Sequence, residues 1–113
     1  MYKYYDPINV RSPRDCISEV VQIFDGEIDN GAYSLAKITW EGEDRIGIRW
    51  NVTLREWDQP NKKSGTDFCI GEPNSRGYPT WFILPNDFIN TLLSGKGKIV
   101  NDLRELLITM ENH

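Results

Sequence analysis

Two consecutive segments of the chain alternate apolar and polar residues with a period of two. Their apolar members are Ala36, Ile38 and Trp40 in the first segment and Ile46, Ile48, Trp50 and Val52 in the second. This period is typical of strands that bury one face. The short turn at 41–44 predicts that the two strands pair antiparallel. Trp50 is expected to lie in the core, and Arg45 and Arg49 are expected to point away from it.

The segment at 13–24 has two interpretations. Ser12 could cap a helix with Pro13 at its first position and apolar residues along one side. A strand over Glu19–Phe24 is the alternative, and it is favoured because Asp-Gly and Asn-Gly in the following segment 25–31 predict a hairpin loop, which needs a first arm. Both interpretations remain open from the sequence.

The continuous apolar run at 80–85 predicts a central strand covered on both faces, limited by Pro79 and Pro85. The residues expected to be mostly buried in the sheet are Trp40, Ile46, Ile48, Trp50, Phe82 and Leu84.

Helical patterns follow this strand. Asn86 is predicted to cap a helix over 87–93 that ends at Gly95. Its apolar residues Phe88, Ile89, Leu92 and Leu93 are expected to face inward. Helical spacing continues from Lys98 to about Met110. The fold class predicted is α+β, with an antiparallel sheet of about four strands followed by one or two C-terminal helices packed on one face.

The chain has 113 residues, which predicts a single domain over 1–113. Residues 1–12 are interpreted as an irregular arm. Residues 53–79 have little periodicity and are interpreted as a long loop, a feature that in compact domains is usually functional or mobile.

Composition and charge narrow the classes of protein. The chain is 39% hydrophobic and 27% charged, with a net charge of −4 and a pI near 4.9. The acidic balance disfavours a generic nucleic-acid binder, because such binding depends on phosphate neutralisation.

No apolar run is long enough for a membrane span, and the first residues lack a signal-peptide core. A cytoplasmic protein is therefore expected, with Cys16 and Cys69 as reduced thiols.

The sequence carries no recognisable catalytic signature. Its single histidine is His113, so a Ser–His or Cys–His pair is not expected. The segment SGKGK at 94–98 lacks the spacing of a phosphate-binding loop. The cysteines match no metal motif, and no cofactor is expected. The prediction is a protein that is not an enzyme.

Candidate binding residues come from the middle of the chain, which is mildly basic inside an acidic protein. They are Arg45, Arg49, Trp57, Arg76 and Tyr78. Aromatic side chains interleaved with arginines on an open sheet are a way to hold single-stranded nucleic acid. A solvated sheet face with long polar side chains is the competing interpretation.

Three segments carry a resemblance to a known group of proteins. They are LAKITWEGEDRIGIRWN, CIGEPNSRGYP and PTWFILP, and their shared features are Trp40, Arg49-Trp50-Asn51, Gly71-Glu72-Pro73 and the run from Gly77 to Pro85. Over roughly residues 19–90, this pattern resembles a family of small uncharacterised bacterial proteins, a resemblance that implies no activity. The order of elements is also similar to that of PC4-like single-strand DNA-binding domains. Such domains usually dimerise, so this layout implies a homodimer.

Together these features predict a non-catalytic binding or interaction module with an unspecified protein or small-molecule partner. The alternative is a single-stranded nucleic-acid-binding domain of PC4-like layout. An enzyme ranks third, and no membrane partner is expected.

Overall fold

The computed structural model describes residues 1–111 and has an α+β fold. A 3-10 helix at Pro7–Asn9 precedes the first strand. The strands are β1 (Ile17–Asp25), β2 (Tyr33–Trp40), β3 (Glu43–Trp50), β4 (Asn74–Ser75), β5 (Tyr78–Pro79) and β6 (Phe82–Leu84). The helices are α1 (Pro60–Lys63), α2 (Asn86–Ser94) and α3 (Lys98–Glu111).

Four strands form one antiparallel sheet in the order β1-β2-β3-β6. The segment that includes residues 17–25 is a strand, as favoured, and it pairs with β2 through the predicted hairpin. Strand β6 lies at the edge of the sheet and has three residues, so the prediction of a central strand covered on both faces is wrong. The remaining two strands, β4 and β5, form a separate short hairpin.

The core lies between one face of this sheet and the N-terminal segment. It consists of Val10, Ile17, Val20, Ala36, Ile38 and Trp81, with Tyr5, Trp40 and Ile83 packed against it. Trp81 is 6% exposed, and its indole nitrogen donates a hydrogen bond of 2.7 Å to the carbonyl oxygen of Val10. The arm at 1–12 therefore closes the core through Pro7 and Val10, both buried.

The predicted face of β2 is buried, since Ala36 and Ile38 are fully buried and Trp40 packs against the core, but on β3 and β6 the buried face is the one opposite to that predicted. Gly47 and Arg49 are buried, whereas Trp50 is 49% exposed and Phe82 is 58% exposed. The reason is steric. A Cβ atom on Gly47 would lie 2.3 Å from the Cδ1 of Ile38 and 3.1 Å from the indole of Trp81. The small residue on this face makes room for Trp81, and the larger side chains of β3 consequently lie on the other face.

The C-terminal helices begin and end close to the predicted positions. Helix α2 ends at Gly95, whose φ of 65° is left-handed, and its N-terminal cap is Pro85 rather than Asn86. Helix α2 contacts β3, and α3 contacts α2. Leu92 and Leu93 do not face inward, because they are 43% and 81% exposed, while Phe88 and Ile89 are half-buried.

Candidate functional site

Arg49, a predicted ligand contact, is a buried structural side chain. It is 2% exposed, and its guanidinium donates hydrogen bonds to the carbonyl oxygens of Ile70, Pro73 and Thr80. Burial lowers the pKa of Arg49 to about 10, an effect opposed by the charge of Glu56. Its Nε is buried without a partner in the described residues. The prediction that Arg49 points away from the core is therefore wrong: the side chain fixes the end of the long loop against β3.

Glu56 is the acidic counterpart of this arrangement. Its carboxylate accepts hydrogen bonds from the backbone N–H groups of Ile70 at 2.7 Å, Gly71 at 3.0 Å and Thr53 at 3.2 Å. Lys62 Nζ lies 3.5 Å from it. Burial raises the pKa of Glu56, but these hydrogen bonds and the Lys62 charge outweigh burial and hold the pKa below its usual value. The carboxylate thus ties both ends of the loop together.

The close approach at Gly71 explains one feature of the sequence pattern. Gly71 has a φ of 72°, and a Cβ there would lie 1.9 Å from the carbonyl oxygen of Trp50 and 2.6 Å from Arg49 Nη2. Trp50 and Glu72 exchange backbone hydrogen bonds of 2.7 and 3.0 Å beside it. Glycine is required at this position because the loop passes directly over the end of β3.

Asn51 fixes the opposite side of the same strand end. It is 1% exposed and takes part in a buried polar network with Ser34 and Asp25. Tyr4 adds a hydrogen bond of 2.8 Å to Asp25, and burial together with this bond raises the pKa of the Tyr4 phenol. Arg49 and Asn51, on either side of Trp50, are therefore structural residues, and Trp50 is the member of this triplet left at the surface.

The five predicted binding residues do not form one site. Arg45 is half-buried and pairs with Glu43 at 2.6 Å. Trp57 stacks on Tyr2, with ring centroids 4.3 Å apart and planes 6° apart. Arg76 and Tyr78 are exposed on the β4–β5 hairpin, and Arg49 is buried. The interleaved arginines and aromatic rings expected on an open sheet are absent from it in the described residues, because the arginines of β3 lie on the other face.

The sheet face opposite the core is apolar and largely uncovered. We call it the open face and define it by Val21, Phe24, Tyr33, Leu35, Ile46, Ile48, Trp50, Phe82 and Leu84. Register places Phe24, Leu35, Ile48 and Phe82 in one row across all four strands. Tyr33 contacts both Phe24 and Trp50, with ring centroids 5.2 and 6.2 Å apart. Five of these side chains are more than 40% exposed: Val21, Phe24, Tyr33, Trp50 and Phe82.

Two grooves flank Trp50 at one end of the open face. One, of about 330 Å³, is lined by Ile48, Arg49, Trp50, Glu72, Pro73 and Phe82. The other, of about 510 Å³, is lined by Gly31, Trp50, Val52, Thr53, Leu54, Arg55 and Glu72. Their volumes are those of small-ligand sites. Trp50 forms the ridge between them. This end of the open face therefore has two grooves that an apolar side chain can enter.

A third groove lies apart from the open face, between the N-terminal segment and β5. It is lined by Tyr5, Asn9, Arg11, Ser12, Arg14, Tyr78 and Pro79 and measures about 520 Å³. Arg11 donates a hydrogen bond of 2.9 Å to the carbonyl oxygen of Ile8. Neither Arg11 nor Arg14 makes an ion pair with any residue of the described chain. This groove brings Tyr78, a predicted binding residue, next to two cations that the sequence analysis did not select.

The two thiols are poor nucleophiles at neutral pH. Burial raises the pKa of Cys69, and partial burial together with the carboxylate of Glu41 raises the pKa of Cys16. Within residues 1–111 there is no group of three His, Cys, Asp or Glu side chains that could hold a metal ion. No helix in that range is long and apolar enough to cross a membrane.

No family model, curated protein sequence or solved structure matches the chain. The candidate site is therefore defined by this chain's own geometry.

Sequence reasoning missed the residues that organise the surface. Glu56 was missed because it lies outside the periodic segments, where burial leaves no pattern, and Asn51 was missed because it occupies a polar position of the second alternating segment, where exposure is expected. A signal for the open face was present, since alternation in β2 and β3 leaves Leu35 and Tyr33 on the side opposite Ala36. Such residues indicate a second apolar face.

Proposed function

We propose that this protein is a non-catalytic interaction module that uses the open face to bind the apolar side of an amphipathic helix in a protein partner. The observation that carries the proposal is the row Phe24, Leu35, Ile48 and Phe82, which crosses the whole sheet and remains partly exposed. Monomeric proteins rarely expose a contiguous apolar patch of this kind, and such patches mark interaction sites.

The chemistry of the open face favours a protein over a nucleic acid. The ridge of the open face is the aromatic side chain of Trp50, and aromatic side chains are enriched at the centres of protein interfaces. The only basic residue of β2 on this side is Lys37, which register places opposite Ile46. An apolar helix side matches such a surface, because it brings aliphatic side chains without unpaired backbone groups.

A photo-crosslinking amino acid at position 33 tests this function in the native host cells. Tyr33 is 41% exposed on the open face, where it contacts Phe24 and Trp50, and an aromatic crosslinker preserves its shape. We expect adducts whose cross-linked peptide, identified by mass spectrometry, is an amphipathic helical segment. The same crosslinker at Ile8, which is also 41% exposed but lies in the N-terminal segment, is the control and should give none. Absence of protein adducts at position 33 would contradict the proposal.

A single-stranded nucleic-acid-binding domain is the second candidate, favoured by the groove that holds Arg11, Arg14 and Tyr78. Two cations beside an exposed tyrosine suit one phosphate and one stacked base. The acidic net charge of −4 opposes binding of long strands.

Titration of a labelled oligonucleotide at low salt tests this candidate. Arg14→Ala and Tyr78→Ala should each weaken binding, and Arg45→Ala, which removes a cation paired with Glu43, should not. The nucleic-acid candidate fails if the unmodified protein does not bind at micromolar concentration, or if Arg45→Ala weakens binding as much as Arg14→Ala does.

A further inference from the structure

No element of the described residues 1–111 covers the apolar side of helix α3. Ile99, Leu103, Leu106 and Leu107 fall on one side of the helix at spacings of four, three and one. They are between 39% and 61% exposed, whereas Val100 on the same helix is 8% exposed. A helix of 14 residues is marginally stable alone in water, because its stability comes mainly from packing of its apolar side. Helix α3 therefore needs a covering surface.

The exposed area of the chain indicates how large that surface is. A monomer of 13.1 kDa is expected to expose about 6,400 Å². This chain exposes 7801 Å², and its radius of gyration is 16.0 Å where about 13 Å is typical of its length. The excess of about 1,400 Å² per chain corresponds to about 2,800 Å² in a pair, within the range of obligate homodimers.

We propose that the partner helix bound by the open face is α3 of a second copy of this chain, so that each copy inserts its α3 across the open face of the other. This inference rests on the proposed function and names its partner. The two unpartnered apolar surfaces belong to one chain, and a two-fold axis covers both at once, since in such an interface each copy supplies the same two patches.

The dimensions of the two surfaces agree. Helix α3 is about 21 Å long at 1.5 Å per residue. The outer strands of a four-stranded sheet lie about 14 Å apart. The helix thus spans the row from Phe24 to Phe82, and Trp50 fits as a large anchor beside it. Gly95 and Gly97, both with positive φ, form the connection between α2 and α3.

The first experiment measures the mass of the full chain in solution by light scattering. A dimer of twice 13.1 kDa is expected. Leu106→Asp on α3 and Phe82→Asp on the open face should each give a monomer, because each places a charge in the interface. Ile8→Asp, at an exposed apolar position in the N-terminal segment, is the matched control and should remain dimeric. Circular dichroism of the monomeric variants checks that the sheet still forms.

Mixing the two monomeric variants distinguishes this arrangement from other dimers. The Phe82→Asp copy keeps an intact α3, and the Leu106→Asp copy keeps an intact open face, so one of the two contacts can form between them. We expect the mixture to yield a heterodimer although neither variant associates alone. A dimer formed by α3 against α3, or by face against face, would show no such rescue, and that result would overturn the proposal.

A monomeric unmodified protein would also overturn it, whether α3 is then free or folds back onto its own sheet. The crosslinker at position 33 separates this failure from failure of the proposed function. Adducts with a helix of another protein, from a monomeric chain, would leave the interaction module standing and refute the self-pairing. Absence of any protein adduct at that position would refute both.

Discussion

At the scale of single residues, Arg49 and Glu56 have opposite charges and complementary tasks. The guanidinium of Arg49 donates to three backbone carbonyls, and the carboxylate of Glu56 accepts from three backbone N–H groups. Ile70 is held by both, through its oxygen and its nitrogen. A long loop that contains only one short helix and one short hairpin acquires fixed geometry in this way, because buried backbone groups must find partners.

Arg49→Lys should destabilise the protein although it keeps the charge. A lysine is a point donor and cannot reach three carbonyls in the geometry of a guanidinium, so buried acceptors are left unpaired. We expect a loss of about 2–3 kcal/mol in the free energy of unfolding. Arg45→Lys, at a partly exposed ion pair, is the control and should change stability by less than about 0.5 kcal/mol. Chemical denaturation measures both, and equal stability of the two variants would contradict the structural role of Arg49.

Glu56→Gln should remove a pH-dependent part of the stability. The folded pKa of Glu56 is held below its unfolded value, so its contribution is fully present above about pH 4.3 and is lost as the pH falls through the folded pKa. At pH 7 the variant should be less stable by about 1.5–3 kcal/mol. The difference from the unmodified protein should shrink as the pH falls through the folded pKa, where the carboxyl becomes neutral.

Urea denaturation from pH 7 to pH 3 checks this prediction. Glu19→Gln, at an exposed position of β1, is the control at pH 7 and should stay within about 0.5 kcal/mol of the unmodified protein. A difference between Glu56→Gln and the unmodified protein that stays constant down to pH 3 would contradict the proposed ionisation.

At the scale of elements, two tryptophans illustrate the two faces of the sheet. Trp81 lies just before β6 against Gly47 and is nearly fully buried, whereas Trp50 at the end of β3 is half exposed. Both occupy apolar patterns in the sequence. Their different environments follow from the N-terminal segment, which covers only the face that contains Ala36 and Gly47.

Trp81→Ala should therefore destabilise the fold by about 3–5 kcal/mol, the cost of removing a buried large aromatic side chain. Trp50→Ala is made in the Phe82→Asp variant, because we expect the open face of that variant to be unoccupied. There it should lower the free energy of unfolding by less than half as much as Trp81→Ala does. About half of the Trp50 side chain is in water before the substitution. Thermal and urea denaturation compare the two variants, and a larger loss from Trp50→Ala would reverse the assignment of the buried face.

At the scale of the whole molecule, the chain is broad and thin, with principal extents of 46 × 43 × 21 Å. Only one face of the sheet is covered, and helix α3 protrudes from the molecule. Apolar surface is therefore exposed on the sheet and on the helix. Association of two copies through these surfaces would supply the second layer that a sheet normally needs to bury its apolar face.

If the pair forms, its stability should depend on protein concentration. The melting temperature of the unmodified chain should rise as the concentration increases, because association binds the folded state only. The Leu106→Asp variant should melt at a temperature that does not change with concentration. Differential scanning calorimetry over a wide range of concentration measures this, and a constant melting temperature in the unmodified chain would contradict an obligate dimer.

Local features of the sequence determined most of the secondary structure. Period-two alternation defined β2 and β3, the Asp-Gly and Asn-Gly turns favoured β1 as a strand, and Gly95 ended α2 because a left-handed residue is needed there. The α+β class followed from the order of these elements. The alternation also separated the residues of β3 into two faces, since side chains of a strand alternate by geometry alone.

Only the tertiary structure decided which face of β3 and β6 is buried and what the candidate residues do. That choice depends on Val10 and Trp81, which are distant in sequence from each other but lie in one core cluster and are joined by a hydrogen bond. As a result, Arg49 is a buried residue that holds the long loop against β3, and Trp50 is part of the open face. Alternation is symmetric between the two faces of a strand, so a contact from elsewhere in the chain must select one of them.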